Sequence, residues 1–118
     1  MRNMETKLKC HLIESTPIKS DFDYLHENFI HVKTLIDNSH LFRYILKCNK
    51  CGQLYFYEFY EVINWSGGND SQYNTYIPVD TIEEAERLHN DSPLKLLGKF
   101  PRLQCDFVGD TSTIRWIR

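Results

Sequence analysis

Leu54-Tyr55-Phe56-Tyr57-Glu58-Phe59-Tyr60-Glu61-Val62-Ile63-Asn64-Trp65 is the stretch on which the fold turns. Aromatic and branched residues occupy both parities. Tyr55, Tyr57, Phe59, Ile63 and Trp65 share one face of an extended chain, and Leu54, Phe56, Tyr60 and Val62 share the other. Alternate side chains of a strand point to opposite faces, so an apolar series on both faces predicts a central strand covered on both sides.

Working outward, Ser66-Gly67-Gly68-Asn69-Asp70 carries turn chemistry, and residues 73–79 return as a partner strand ending near Pro78. Thr81 and Glu84 form a capping-box pattern, with Ile82, Ala85 and Leu88 as the buried stripe of a helix ending near Asn90. Ser92-Pro93 starts a second short helix that Gly98 stops. Residues 102–107 and 113–117 make a closing hairpin around Val108-Gly109-Asp110. Toward the N-terminus, residues 7–14 read as a short strand. In residues 21–36, Phe22, Leu25, Phe29, Val32 and Ile36 fall at helical spacings of three and four. The same region is rich in β-branched residues, and Asp37-Asn38-Ser39-His40 offers a turn into residues 41–48, so a hairpin competes with the helix. With no internal repeat, low-complexity tract or linker, the expectation is one α+β domain over residues 1–118. It would consist of an antiparallel sheet, two or three short helices and a zinc-knuckle-like turn.

The knuckle is Cys48-Asn49-Lys50-Cys51-Gly52. Two thiolates at this spacing can hold one Zn2+ from a tight turn, and a glycine after the second lets the backbone leave in a conformation that a β-carbon would resist. One knuckle supplies half of a tetrahedral site. Cys10 and His11 are the first choice for the remaining ligands, with Cys105, His31 and His26 in reserve. On an extended strand Cys10 and His11 face opposite ways, so both reach one ion only where the backbone bends. Four filled positions make such a site structural; hydrolysis would need an open one.

The size of 118 residues and a 42% hydrophobic, 14% aromatic composition suit one packed core. No run approaches the roughly 20 apolar residues of a membrane-spanning helix, and Met1-Arg2-Asn3-Met4-Glu5 leads into charge, so a cytoplasmic protein with reduced thiols is expected. A net charge of -2 hides an asymmetry. Residues 53–91 hold eight carboxylates, Glu58, Glu61, Asp70, Asp80, Glu83, Glu84, Glu86 and Asp91, against the single cation Arg87. Such a surface repels phosphates and attracts basic partners. No His-Glu-x-x-His, His-x-Glu, Gly-x-Ser-x-Gly or phosphate-loop pattern is present, so nothing argues for an enzyme. Glu58 and Glu61 punctuate the aromatic ladder where a single-strand nucleic-acid binder would carry lysines.

Residues 43–59, together with Tyr76-Ile77-Pro78-Val79 and Phe100-Pro101-Arg102-Leu103-Gln104, resemble a group of small uncharacterised bacterial proteins, over most of the chain from Phe29 onward. The compact, acidic, non-catalytic character is similar to immunity proteins of contact-dependent and polymorphic toxin systems. That likeness is one of type and transfers no residues. It implies a protein-binding module that masks a basic toxin surface; the charge balance of residues 53–91, not the likeness, puts forward Glu58, Glu61, Asp70, Tyr73, Glu83 and Glu84 for that contact. Two alternatives compete with it. One is a zinc-ribbon-like nucleic-acid binder using Lys9, Arg43, Lys47 and Lys50; the other is a zinc hydrolase with an open metal position.

Overall fold

The computed structural model describes residues 27–62, 71–109 and 111–117. The strands are β1 (Phe29–Asn38), β2 (Leu41–Cys48), β3 (Leu54–Val62), β4 (Ser71–Val79), β5 (Arg102–Val108) and β6 (Thr111–Ile117). Two helices, α1 (Ile82–Leu88) and α2 (Pro93–Leu96), lie between β4 and β5. The strands form one antiparallel sheet in chain order, a six-stranded meander in which each strand pairs with its neighbours in sequence. Among the described residues no helix is long and apolar enough to cross a membrane.

The two-sided reading of residues 54–62 is visible in β3. Tyr55, Phe56, Tyr57 and Glu58 are all buried, although successive residues point to opposite faces. One face carries an aromatic cluster of Leu46, Cys48, Tyr55, Tyr57, Tyr76, Leu103 and Cys105, with Phe29, Tyr44 and Trp116 packed against it. The other carries Ile45, Phe56, Ile77 and Val79 beneath Ala85 of α1 and Leu96 of α2. A four-residue helix has no stability of its own; full burial of Leu96, worth about 2 kcal/mol, ties α2 to the sheet.

The helix starts obey local rules. Thr81 Oγ1 accepts from the Glu84 amide at 3.1 Å, and Ser92 Oγ accepts from the Lys95 amide at 3.2 Å, with Pro93 at the first helical position. Glu84 Oε1 reaches past the cap residue to accept from the Asp80 amide at 2.8 Å.

The α+β expectation is overturned. The described chain is mostly antiparallel sheet, and its two helices are short, of seven and four residues. The helical reading of residues 21–36 also fails where the structure describes it, because Phe29–Asn38 is the first strand of a hairpin turning at residues 39 and 40. β1 is irregular: its register against β2 shifts between His31 and Lys33 and again between Thr34 and Ile36. Phe29, opposite Cys48, and Ile36, opposite Arg43, lie on opposite faces of the sheet, so the spacing of three and four marks no common face. Residues 1–26, 63–70, 110 and 118 lie outside the described residues, and with them the strand expected at 7–14, Ile63 to Trp65 and the turn at 66–70.

The zinc-knuckle-like turn is corrected in the same way: it is the β2–β3 hairpin loop. Cys48 N–H donates to Gln53 O at 2.8 Å, Gly52 N–H to Cys48 O at 3.0 Å, and Asn49 N–H to Asn28 O at 2.8 Å. Gly52 sits at φ 81°, a conformation that side chains resist. Hydrogen bonds and one glycine thus account for a loop whose cysteine spacing suggested an ion.

Candidate functional site

Four side chains on the helix-bearing face make a square: Glu58 and Tyr60 from β3 stand directly opposite Thr75 and Tyr73 of β4. Ser92, Pro93, Leu94 and Leu97 from α2 and its flanks close over them, leaving a cavity of about 390 Å3. Its inner end is polar. Glu58 is only 3% exposed, and burial pushes its carboxyl above the usual range, with the Arg43 guanidinium pulling in the opposite direction.

Arg43, opposite Glu58 on β2, is likewise 3% exposed. Its Nε donates to Glu58 Oε2 at 2.9 Å, and Nη2 lies 2.8 Å from the same oxygen. The guanidinium continues to the α1–α2 connection, where Nη2 donates to Asp91 O and Nη1 to His89 O, each at 2.8 Å. Nη1 also lies 3.2 Å from His89 Nδ1. A guanidinium has only donors, so Nδ1 is the acceptor and the proton of a neutral His89 resides on Nε2. Burial, and then Arg43, lower the His89 pKa, which agrees with that tautomer. The Arg43 side chain therefore fixes both the carboxylate at the cavity floor and the loop that leads into its roof.

The rim is apolar. Leu94 is 79% exposed, Phe100 66%, and Leu97, Tyr60 and Val62 are also well exposed. The nearby ammonium groups of Lys95 and Lys99 turn to Asp91, at 3.9 and 3.5 Å from its carboxylate oxygens.

On the opposite face Phe42, Tyr44, Tyr57, Phe59, Gln72, Asn74 and Phe107 line a wider hollow of about 520 Å3. Its rings form a chain of contacts, Phe59 to Phe42 at 5.1 Å, Phe42 to Tyr44 at 6.1 Å and Tyr44 to Tyr57 at 5.8 Å between centroids. Tyr57 Oη donates to Asn74 Oδ1 at 2.7 Å, and Asn74 Nδ2 donates to Cys105 O at 3.2 Å. This polar pair sits under the rings as internal scaffolding.

The residues singled out from sequence scatter. Glu58 and Tyr73 meet in the first cavity. Glu61 points to the other face, where Oε1 pairs with His40 Nδ1 at 3.0 Å and Oε2 accepts from Gln72 Nε2 at 3.3 Å. Glu84 is spent on the helix start, Glu83 is exposed beside it, and Glu86 pairs with Lys33. Asp70 lies outside the described residues, as do Cys10, His11 and His26. Of the other candidate ligands, Cys48 is buried in the aromatic cluster, Cys51 is exposed, Cys105 is buried in the same cluster as Cys48, and His31 bonds Thr34 Oγ1 at 2.8 Å. Among the described residues no three His, Cys, Asp or Glu side chains gather as metal ligands would.

Sequence reasoning missed Arg43 as the partner of Glu58, and Tyr60, Leu94 and Leu97 as cavity-lining residues. One signal pointed to the pair: a carboxylate in the middle of a strand apolar on both faces requires a buried cation. Comparisons of the chain with family models, with curated proteins and with solved structures find no match.

Proposed function

We propose that this chain is a non-catalytic, cytoplasmic protein-binding module that meets its partner with the helix-bearing face around α2. The observation that carries the reading is the exposure of Leu94, Leu97 and Phe100 on and just after α2, with Leu94 and Leu97 bordering a cavity whose floor is a rigidly held carboxylate. Large side chains left in water beside a concave, partly polar pocket are characteristic of recognition surfaces.

The surface is less acidic than the composition suggests. Glu58, Glu61, Glu86 and Asp91 each have a cationic or histidine partner, and Glu84 caps a helix. Asp80 and Glu83 keep exposed carboxylates at the start of α1, which supports a basic partner, as for an immunity protein occluding a toxin surface. The nucleic-acid alternative weakens, because Arg43 is buried and its donors are engaged, leaving Lys47 and Lys50 as the exposed cations near the hairpin loop among the described residues. A structural zinc at Cys48 and Cys51 remains a separate proposal, decided by elemental analysis of the purified protein.

Site-specific photocrosslinking tests the surface. A benzophenone amino acid at position 94 or 100 is expected to give the same adduct in the native host. At Ser39 it gives none, and the adduct disappears with Leu97→Asp. Equal labelling from all three positions, or none from any, would overturn the assignment.

A further inference from the structure

We infer that the cavity beneath α2 is a subsite for an arginine side chain of the partner protein, received between Tyr60 and Tyr73 and paired with Glu58. The inference rests on the protein-binding reading and deepens it by naming the group that is recognised.

Glu58 is the starting point. Both contacts from Arg43 go to Oε2. Oε1 has no partner among the described residues, although the side chain is 97% removed from solvent and belongs to the cavity lining. Oε1 keeps some contact with solvent through the cavity, so a cation that displaces water there can pair with an oxygen that no protein donor holds. The Arg43 guanidinium directs Nε–H and one Nη2–H to Oε2, and its remaining donors go to the carbonyls of His89 and Asp91 and to His89 Nδ1. The ammonium groups of Lys95 and Lys99 are directed to Asp91. Oε1 is thus left to the cavity, with neither Lys95 nor Lys99 directed to it.

Shape selects the visitor. Tyr60 and Tyr73 are direct cross-strand partners, one step further along the same face than the Glu58 and Thr75 pair. A side chain that pairs with Glu58 in this cavity lies among the two tyrosines, Leu94 and Leu97, which line it with Glu58. This demands a long apolar stem ending in a cation. Arginine meets both requirements, and its planar head can lie against tyrosine rings while donating in the plane to a carboxylate and to the Thr75 or Ser92 hydroxyl. A wholly apolar guest would leave Oε1 unpaired. Leu94 and Leu97, exposed where they border the cavity, would exclude water around such an anchor, the arrangement in which arginine contributes most to protein interfaces.

Nuclear magnetic resonance with capped single residues tests the subsite on the intact chain. N-acetyl-arginine methylamide is titrated against the labelled protein, and the uncharged isostere N-acetyl-citrulline methylamide serves as comparator. The arginine probe is expected to shift the amide signals of Tyr60, Tyr73, Thr75 and Ser92 saturably, and to bind at least tenfold more tightly than citrulline. Glu58→Gln should remove the preference. Because that change also touches the Arg43 pair, Tyr60→Ala, at the exposed rim, supplies a second reading and should weaken arginine binding several-fold. Equal binding of the two probes, or no saturable shift from either, overturns the inference. Crosslinks from positions 94 and 100 that persist in that event would leave the protein-binding surface standing; binding of arginine without crosslinks would do the reverse.

Discussion

Replacing Arg43 with methionine is the sharpest test of how the sheet holds its helices. The substitution keeps an unbranched apolar stem and removes every donor. It leaves Glu58 as an unpaired buried carboxylate, a loss of about 3–5 kcal/mol when one partner of a buried pair is deleted. It also strips the carbonyls of His89 and Asp91 of their donor, at about 1 kcal/mol each because these groups are only partly buried and can recruit water. The expected total is about 5–7 kcal/mol, comparable with the whole stability of a marginal domain. Urea unfolding followed by circular dichroism at pH 7 would read it. The double variant Arg43→Met, Glu58→Leu separates the two parts. It removes the stranded charge and should recover about 3–5 kcal/mol, leaving the deficit of roughly 2 kcal/mol from the two carbonyls. Glu58→Gln keeps an acceptor for the guanidinium and should cost only about 1–2 kcal/mol. A double variant as stable as the parent would refute the claim that Arg43 ties the α1–α2 connection to the sheet. A single variant costing less than about 1 kcal/mol would show that the pair is not buried.

Three other expectations concern separate parts of the molecule. Gly52→Ala should lower stability by about 1 kcal/mol with or without chelator, because the φ of 81° resists a side chain while the space around the new methyl is open; a loss seen only in the presence of zinc would return the loop to the metal reading. Burial pushes the Cys105 thiol up to about 12, so peptide mapping after alkylation at pH 8 should find Cys51 modified and Cys105 protected until urea is added; early labelling of Cys105 would contradict its burial. His89 has a folded pKa below 6.5, so the unfolded chain binds the extra proton, and stability should fall as pH drops from about 6.5 through that lowered value. Glu58 acts with the opposite sign, since its raised pKa makes the folded state gain stability as pH falls toward 4.5. His89→Gln should therefore flatten the acid-side loss in urea midpoint relative to the parent; an unchanged pH profile would exclude the neutral His89 tautomer as its source.

Local chemistry was legible in the chain itself. Alternation in residues 54–62 announced a strand with both faces covered, Thr81 and Ser92 announced two helix starts, and Gly109 sits at φ 61° in a hairpin turn that the sequence placed correctly. These features arise from side chains acting on backbone within a few residues, so adjacency in sequence is enough to reveal them. Over β1 the competing hairpin reading stands and the helical one falls; spacing alone could not decide between them, because strand pairing and its bulges are defined only against a partner strand.

The carboxylates show the same division. Composition counted eight against one in residues 53–91, yet Glu58 meets Arg43 from fifteen residues upstream, Glu86 meets Lys33 across 53, and Glu61 meets His40 across 21. Charge is a property of the residue, whereas the field it makes depends on which distant side chain folding brings against it and on how much water remains between them. The amino-acid order alone determined the strands, the caps and the kinds of groups available. Only the assembled sheet decided that Glu58, Tyr60, Tyr73 and Thr75 form one square under α2, because cross-strand register and helix docking set contacts between residues that the chain keeps far apart.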